Sequence, residues 1–463
     1  MPTGSDGLTS VKVAWGSLNV NLSTGQVVGY EGAPTEIEFP TEVNGVPITK
    51  IAENAFYECY SVTSIVVPEG YAEIGANAFN GCKMLQDVNI AGSVKEIGLY
   101  AFRNCTGLTG LTLNDGIGKI GRYAFAGCTG LTTVALPEGL MIIERNTFEN
   151  CSLLASVELP ETLTEIKQYA FYNCVKLSEI TLPENLQSLG ARAFYNCDAL
   201  INITIPEGIT TLPEYLFGDC ANLAEVGLPS SLTDTGNYTF YNCSKLSNII
   251  LPENLTRIGT YAFYNCDSLA EVILPETVTE IATYAFYDCD GLTNITIPGG
   301  VTTIGTYTFG DCNGLTKVDL PSGLTKIDNY AFYYCTKLSE IDLPESLTSI
   351  GTYAFYNCDG LTEIEIPEGI TVIPDYAFYD CDSLKKVTLP STLTNIYYRA
   401  FYYCGSLSAV YFYGAAPSLG SGVFTYTSSS QVLYYLEGSS NITFIPVSNC
   451  WPVTSLKRKA MRA

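Results

Sequence analysis

Histidine is absent from all 463 residues. That absence removes Ser-His-Asp and Cys-His nucleophilic systems, imidazole proton shuttles and histidine-containing zinc sites in one step. Basic residues are scarce as well, with 23 Lys and Arg against 47 Asp and Glu and a net charge of −24. Nucleic acid is therefore not an expected partner, because phosphate binding needs clustered Lys and Arg to release counterions. Only the tail LKRKAMRA is locally basic. No run approaches the roughly 20 apolar residues of a membrane span. The start, MPTGSDGLTSVKVAWGS, has no basic segment followed by an apolar run of about 7–15 residues. The expectation is a soluble chain without membrane insertion and with no visible signal peptide, kept monomeric by its own negative charge.

Cysteine, by contrast, is plentiful and periodic. Sixteen of the 17 cysteines, from Cys59 through Cys82 and Cys105 to Cys404, follow one another at intervals of 23 residues. Phe56 to Phe401 keep the same register, three residues ahead of each cysteine. A fixed period of roughly 20–29 residues with leucine-like positions marks a leucine-rich repeat solenoid. In one period, Val272 and Leu274 alternate as in a short strand, and Pro275 ends it. From Val278 through Ile281 and Ala285 to Cys289 the apolar spacing becomes three and four, which predicts a short helical or 3₁₀ turn. One coil buries too few side chains to offset its own ordering, so coils must stack and stability becomes a nearest-neighbour sum. Residues 228–269 and 320–361, four periods apart, match at 30 of 42 positions, which points to duplication of multi-repeat blocks.

The ends differ, as capping segments must. Residues 1–47 read as a β-rich N-terminal cap built on SLNVNLS, GQVVGYE and TEIEFP. The repeat array occupies 48–404. Residues 405–463 hold a degenerate repeat with Phe424 in register but Thr427 in the cysteine slot, then a cap and the basic tail. In that cap Trp451 is expected to close the core, and Cys450, outside the ladder, is the candidate reactive thiol.

The period LPENLTRIGTYAFYNCDSLAEVILP resembles the BspA-like class of bacterial leucine-rich repeats, and the likeness spans roughly residues 35–430. The resemblance implies a right-handed solenoid with one main parallel β-strand per 23-residue coil. It also implies adhesion or protein binding, typically at a microbial cell surface, with a host or matrix protein as partner. It supplies no catalytic residues and no cofactor.

Three ladders remain to be weighed for chemistry. The cysteines, spaced C-x₂₂-C, match no metal motif and read as small buried hydrophobes beside each phenylalanine. The acids Glu138, Glu161, Glu184, Glu207, Glu253, Glu276, Glu345 and Glu368 follow the repeat proline or its equivalent slot, and Asp198, Asp267, Asp290, Asp359 and Asp382 follow cysteines. Nothing resembles a calcium loop, so these read as solvated turn residues and no metal is expected. A uniform ladder also lacks the unique carboxylate pair of a glycosidase, so no enzyme is expected. Tyrosine is the third ladder. Eleven tyrosines stand two residues before the repeat phenylalanine and ten follow it, as in Tyr261 and Tyr264, Tyr284 and Tyr287, Tyr353 and Tyr356, and Tyr376 and Tyr379. These eight are the candidate ligand contacts, either for a protein or for a glycan stacked on the rings; packing between coils is the alternative use of the same side chains. The strand face, carrying Glu271, Asn294, Lys317, Glu340, Glu363 and Lys386, is the other candidate surface.

Overall fold

The computed structural model describes residues 7–436 and 457–461. Cys450 and Trp451 lie outside the described residues. The chain divides into two compact units, Met1–Pro229 and Ser230–Ala463.

The first unit opens with an antiparallel meander of β1 (Leu8–Val13), β2 (Gly16–Asn21) and β3 (Gln26–Gly32). From β3 onward the pairings between coils are parallel; they advance by 24 and 28 residues where the cap joins the array, at Val27 with Ile51 and Ile37 with Ile65, and by 23 within it. Two ladders run side by side. One carries the main strands, with Ile37, Ile65, Val88 and Leu111 in register. The other is made of two-residue strands and aligns Val27, Ile51, Ile74, Ile97 and Ile120. The second unit repeats the scheme, aligning Ile364, Val387, Val410 and Leu433 in one ladder and Ile373, Ile396 and Leu419 in the other. Its last strand, Lys457–Met461 in the basic tail, pairs in parallel with Val432–Leu436.

The expected helical turn is not there, and no helix occurs among the described residues. Between the second strand and the next main strand the chain makes consecutive β-turns. Ala78, Asn80 and Cys82 donate their amides three residues back, to Gly75, Asn77 and Phe79. The alternate amides, of Asn77, Phe79 and Gly81, donate instead to Leu99, Ala101 and Arg103 of the next coil. This alternation requires left-handed backbone at every fourth residue, here Asn77 with φ 53° and Gly81 with φ 80°. An α-helix would spend all these donors inside one coil and leave none to join it to its neighbour. The apolar spacing of three and four is common to both arrangements, which is why the period alone misleads.

The interior is a stack of aromatic rings. Phenylalanines of successive coils lie nearly parallel, with centroids 5.2 Å apart for Phe56 and Phe79 and 5.1 Å for Phe355 and Phe378. Tyr30 covers the first ring at 5.2 Å, and Phe39 meets it edge-on. In the second unit Phe424 continues that unit's stack on Phe401 at 5.5 Å, and the Thr427 hydroxyl donates to the Phe424 carbonyl. Coils approach so closely beside the second strand that a Cβ on Gly98 would stand 2.6 Å from the Ala76 amide nitrogen. Glycine suits that close approach in this coil, while other coils fill the same slot with Glu144, Lys167, Ala282 or Asp328.

Candidate functional site

Each main strand points one residue inward between two that point outward, and the two sets obey different rules. The inward residues Val272, Ile295, Val318, Ile341, Ile364 and Val387 are all buried and all β-branched. The outward residues before them are Glu271, Asn294, Lys317, Glu340, Glu363 and Lys386, and all are exposed. Lys317 pairs with Asp319 at 3.0 Å and Lys386 with Glu363 at 3.1 Å. Both pairs are solvent-exposed and contribute little to stability. Among the described residues no Lys or Arg reaches Glu340, Asp342, Glu345 or Glu365 within ion-pair distance.

The outward slot after the inward residue holds the larger surprise. It carries Thr296, Asp319, Asp342 and Glu365, but in two adjacent coils it carries Ile250 and Ile273, which are 79% and 76% exposed. No other large apolar side chain described is as open to solvent. The signal in the sequence was the run of three apolar residues in SNIILP and EVILP, where strict alternation would place a polar residue in the middle. These isoleucines edge a groove of about 550 Å³ with Asn248, Leu251, Glu271 and Pro275. A second groove, of about 340 Å³, lies along Asp342, Leu343, Glu345, Glu363, Glu365 and Lys386.

The structure brings the eight candidate tyrosines together in two columns of the second unit. Tyr238, Tyr261, Tyr284, Tyr307, Tyr330, Tyr353 and Tyr376 stack without a break at centroid spacings from 4.5 to 4.9 Å. In the neighbouring column Tyr264 stacks on Tyr287 and Tyr356 on Tyr379. Gly310 interrupts this second column, but the opening is spanned: the Tyr287 hydroxyl donates to Asp311 of the next coil, and the rings of Tyr287 and Tyr307 close over the glycine. Burial, reinforced by neighbouring phenols, pushes the Tyr261 and Tyr353 hydroxyls up to about 12. Stacking occupies most of the ring faces within a column, and all eight tyrosines remain half-buried.

The first tyrosine column also holds unfavourable backbone. All seven of its tyrosines, among them Tyr261 (φ 54°), Tyr284 (58°), Tyr353 (59°) and Tyr376 (57°), adopt the left-handed region, as do the four tyrosines in the same slot of the first unit. Bulky side chains rarely do so. The other left-handed slot of the coil is filled mostly by residues that tolerate it, such as Asn265, Asp288, Asp311, Asn357 and Asp380. In the tyrosine slot itself, Asn54, Asn77 and Asn146 hold the same φ in early coils. The backbone therefore accepts asparagine there, and the tyrosine serves the column.

All sixteen ladder cysteines are buried free thiols. Each thiol within a unit, from Cys82 onward, donates to the carbonyl of the phenylalanine one coil back, as for Cys82 to Phe56 at 3.1 Å and Cys289 to Phe263 at 3.0 Å. Desolvation favours the protonated thiol at Cys82, pushed up to about 12, and at Cys289, raised well above its ordinary value. Nucleophilic chemistry needs the opposite shift. Among the acids, Asp267, Asp288 and Asp290 place their carboxylates within 4.8 Å of one another. Desolvation first, and the neighbouring carboxylates second, raise Asp288 to about 6.

The family model for the BspA type leucine rich repeat region matches residues 49–155, 142–270, 234–359 and 348–458. Among solved structures, a leucine-rich repeat protein from Bacteroides ovatus ATCC 8483 is 26% identical. It aligns over 94% of this chain and 99% of its own with a TM-score of 0.68. A leucine rich cell surface protein from Faecalibacterium prausnitzii A2-165 is also 26% identical, over 88% of this chain and 95% of its own, with a TM-score of 0.39. The pneumococcal vaccine antigen PcpA aligns over 98% and 99% at 18% identity and a TM-score of 0.37. A search of curated proteins finds no match.

Proposed function

Because the chain belongs to the BspA-type leucine-rich repeat family, we propose that it is a non-enzymatic scaffold, displayed at a cell surface, that binds protein along its strand face. One observation carries this reading. From Glu271 to Thr388 the main strands hold their central inward residues to Val and Ile while their outward residues run through Asn, Glu, Lys, Ile, Asp and Thr from coil to coil. A purely structural spacer has no use for such variety, whereas recognition of a polypeptide depends on it.

A second contact surface is proposed along the tyrosine columns, at Tyr261, Tyr264, Tyr284, Tyr287, Tyr353, Tyr356, Tyr376 and Tyr379. The observation favouring it is the left-handed φ at Tyr261, Tyr284, Tyr353 and Tyr376, in a slot that asparagine fills with less strain. Tyrosine suits a protein partner here, since most of the ring faces needed for sugar stacking are taken by neighbours within the columns.

The test is a screen of purified protein against immobilised extracellular-matrix proteins and a glycan array. A protein partner lost on Glu340→Lys with Glu363→Lys is the expected result. A glycan partner lost on Tyr→Ala in the columns, with no protein partner, overturns the proposal.

A further inference from the structure

The two strand-face grooves occupy equivalent places in the duplicated blocks. Ile249, Leu251, Glu253, Glu271 and Pro275 of the first correspond, 92 residues on, to Ile341, Leu343, Glu345, Glu363 and Pro367 of the second. Those framework positions are identical but for nothing more than their number. The positions aimed outward have diverged: Asn248 is replaced by Glu340, Ile250 by Asp342 and Ile273 by Glu365. Duplication has thus kept one groove and changed its outward residues: the first adds two isoleucines to Glu253 and Glu271, and the second adds two further carboxylates beside Lys386.

Both grooves lie within the second unit and are lined by the same outward slots of the repeating coil. The isoleucines stand bare, with no apolar neighbour covering them, and an exposed apolar pair of this kind in a strand face marks a contact site. Four carboxylates, Glu340, Asp342, Glu345 and Glu365, have no Lys or Arg within ion-pair distance among the described residues, and the nearby Lys317 and Lys386 are paired to Asp319 and Glu363. Four coils at about 4.8 Å separate the grooves by roughly 19 Å, a span that an extended polypeptide covers in about six residues.

We propose that the strand face of the second unit binds an extended basic-aliphatic protein segment, with aliphatic side chains seated on Ile250 and Ile273 and Lys or Arg about six residues away facing Asp342 and Glu365. The inference rests on the strand-face reading above and adds the chemistry of the partner. Charge complementarity selects a cationic segment for the second groove, and apolar burial supplies the anchor in the first. The framework around both pairs is the same, so the residues of one groove can be exchanged for those of the other without disturbing the coil.

Fluorescein-labelled peptides with two leucines and two arginines about six residues apart test this by anisotropy. The spaced peptide is expected to bind at least about tenfold more tightly than peptides with leucines alone, arginines alone or half the spacing. Ile250→Asp with Ile273→Glu removes the leucine contribution, and Asp342→Ile with Glu365→Ile removes the arginine contribution together with most of the salt dependence. Equal binding of all the peptides, or binding unchanged in both variants, overturns the proposal. An unbiased peptide library selected on the same protein separates this failure from that of the broader reading. Enriched peptides that lack the basic-aliphatic pattern but are displaced by mutations elsewhere on the strand face overturn this inference alone. No enrichment of any peptide overturns both.

Discussion

At the scale of the residue, cysteine and tyrosine exchange the roles that their chemistry first suggests. A thiol is usually noticed for reactivity, but here its hydrogen donates to a phenylalanine carbonyl inside a sealed stack. Native protein is therefore expected to react slowly with a thiol reagent throughout the ladder; rapid modification of most of the sixteen cysteines would refute this assignment. Cys289→Ala should lose the thiol hydrogen bond and a small packing contact, lowering unfolding free energy by about 1–2 kcal/mol in a denaturant titration. Tyr284 sets two effects against each other. Replacing it with Asn relieves a left-handed tyrosine, worth about 1–2 kcal/mol, but removes stacks on Tyr261 and Tyr307, each worth about 0.5–1.5 kcal/mol beyond the ring's buried area. With that buried area counted, Tyr284→Asn is expected to destabilise on the order of 1 kcal/mol, and a variant more stable than the parent would show that the column is not a packing device. Asp288 offers the converse case. It occupies a left-handed slot with a carboxyl raised to about 6 by burial and neighbouring acids. Asp288→Asn keeps the backbone and removes the repulsion, so at neutral pH it should stabilise, by less than about 1 kcal/mol because the site is partly solvated.

At the scale of the element, the coil is the unit that the sequence makes legible, and its internal path is what the sequence conceals. The 23-residue interval, the inward Val and Ile, the Phe-Cys pair and the terminal Pro are all readable because they repeat. The turn region misleads because Val278, Ile281, Ala285 and Cys289 have helical spacing, although the chain there turns four residues at a time. The corrective signal was present in Asn265, Asp288 and Asp311, residues suited to left-handed backbone, but tyrosine in the companion slot obscured the regularity. Ile250 and Ile273 were also visible, as a break in alternation; their pairing across coils is visible only once the register is known. The thiol hydrogen bond could not be read at all, since donor and acceptor are 26 residues apart and meet only through stacking. Stacking in register predicts that whole periods are removable. Deleting residues 297–319, one complete period, should leave a cooperatively folded protein with β-rich circular dichroism. Deleting 297–308 puts Phe309 out of line with its stack and should abolish cooperative unfolding.

At the scale of the whole molecule, the ladders sum into a pH dependence with opposite causes at its two ends. Buried thiols such as Cys82 and Cys151 are raised to about 12 and others well above their ordinary value, while the unfolded thiol titrates near 8.5. The native state therefore holds more protons than the unfolded state from about pH 8.5 upward, and stability must fall as pH rises through that window. Tyr261, Tyr307 and Tyr353, raised to about 12 by desolvation and neighbouring phenols, add to the loss above about pH 10. On the acid side, desolvation raises Asp288 to about 6 and lifts Asp267, Asp359 and Asp380 as well. Their native forms also hold extra protons, so stability increases as pH falls from 7 toward about 4, aided by the shrinking of a net charge of −24. Opposing this gain, Glu368 is held below the ordinary carboxylate range by hydrogen bonds from Ser391, and Glu144, despite its burial, by Lys167. Those two contributions are lost on acidification below the usual carboxylate range. Denaturant midpoints measured across pH should therefore peak at mildly acidic pH, decline gently to neutrality and fall steeply above about pH 9. Added salt should reduce only the part of the neutral decline that is charge repulsion, and should leave the part due to desolvated Asp carboxyls and the alkaline fall due to buried thiols. A stability maximum at alkaline pH would mean that the cysteine ladder is open to solvent.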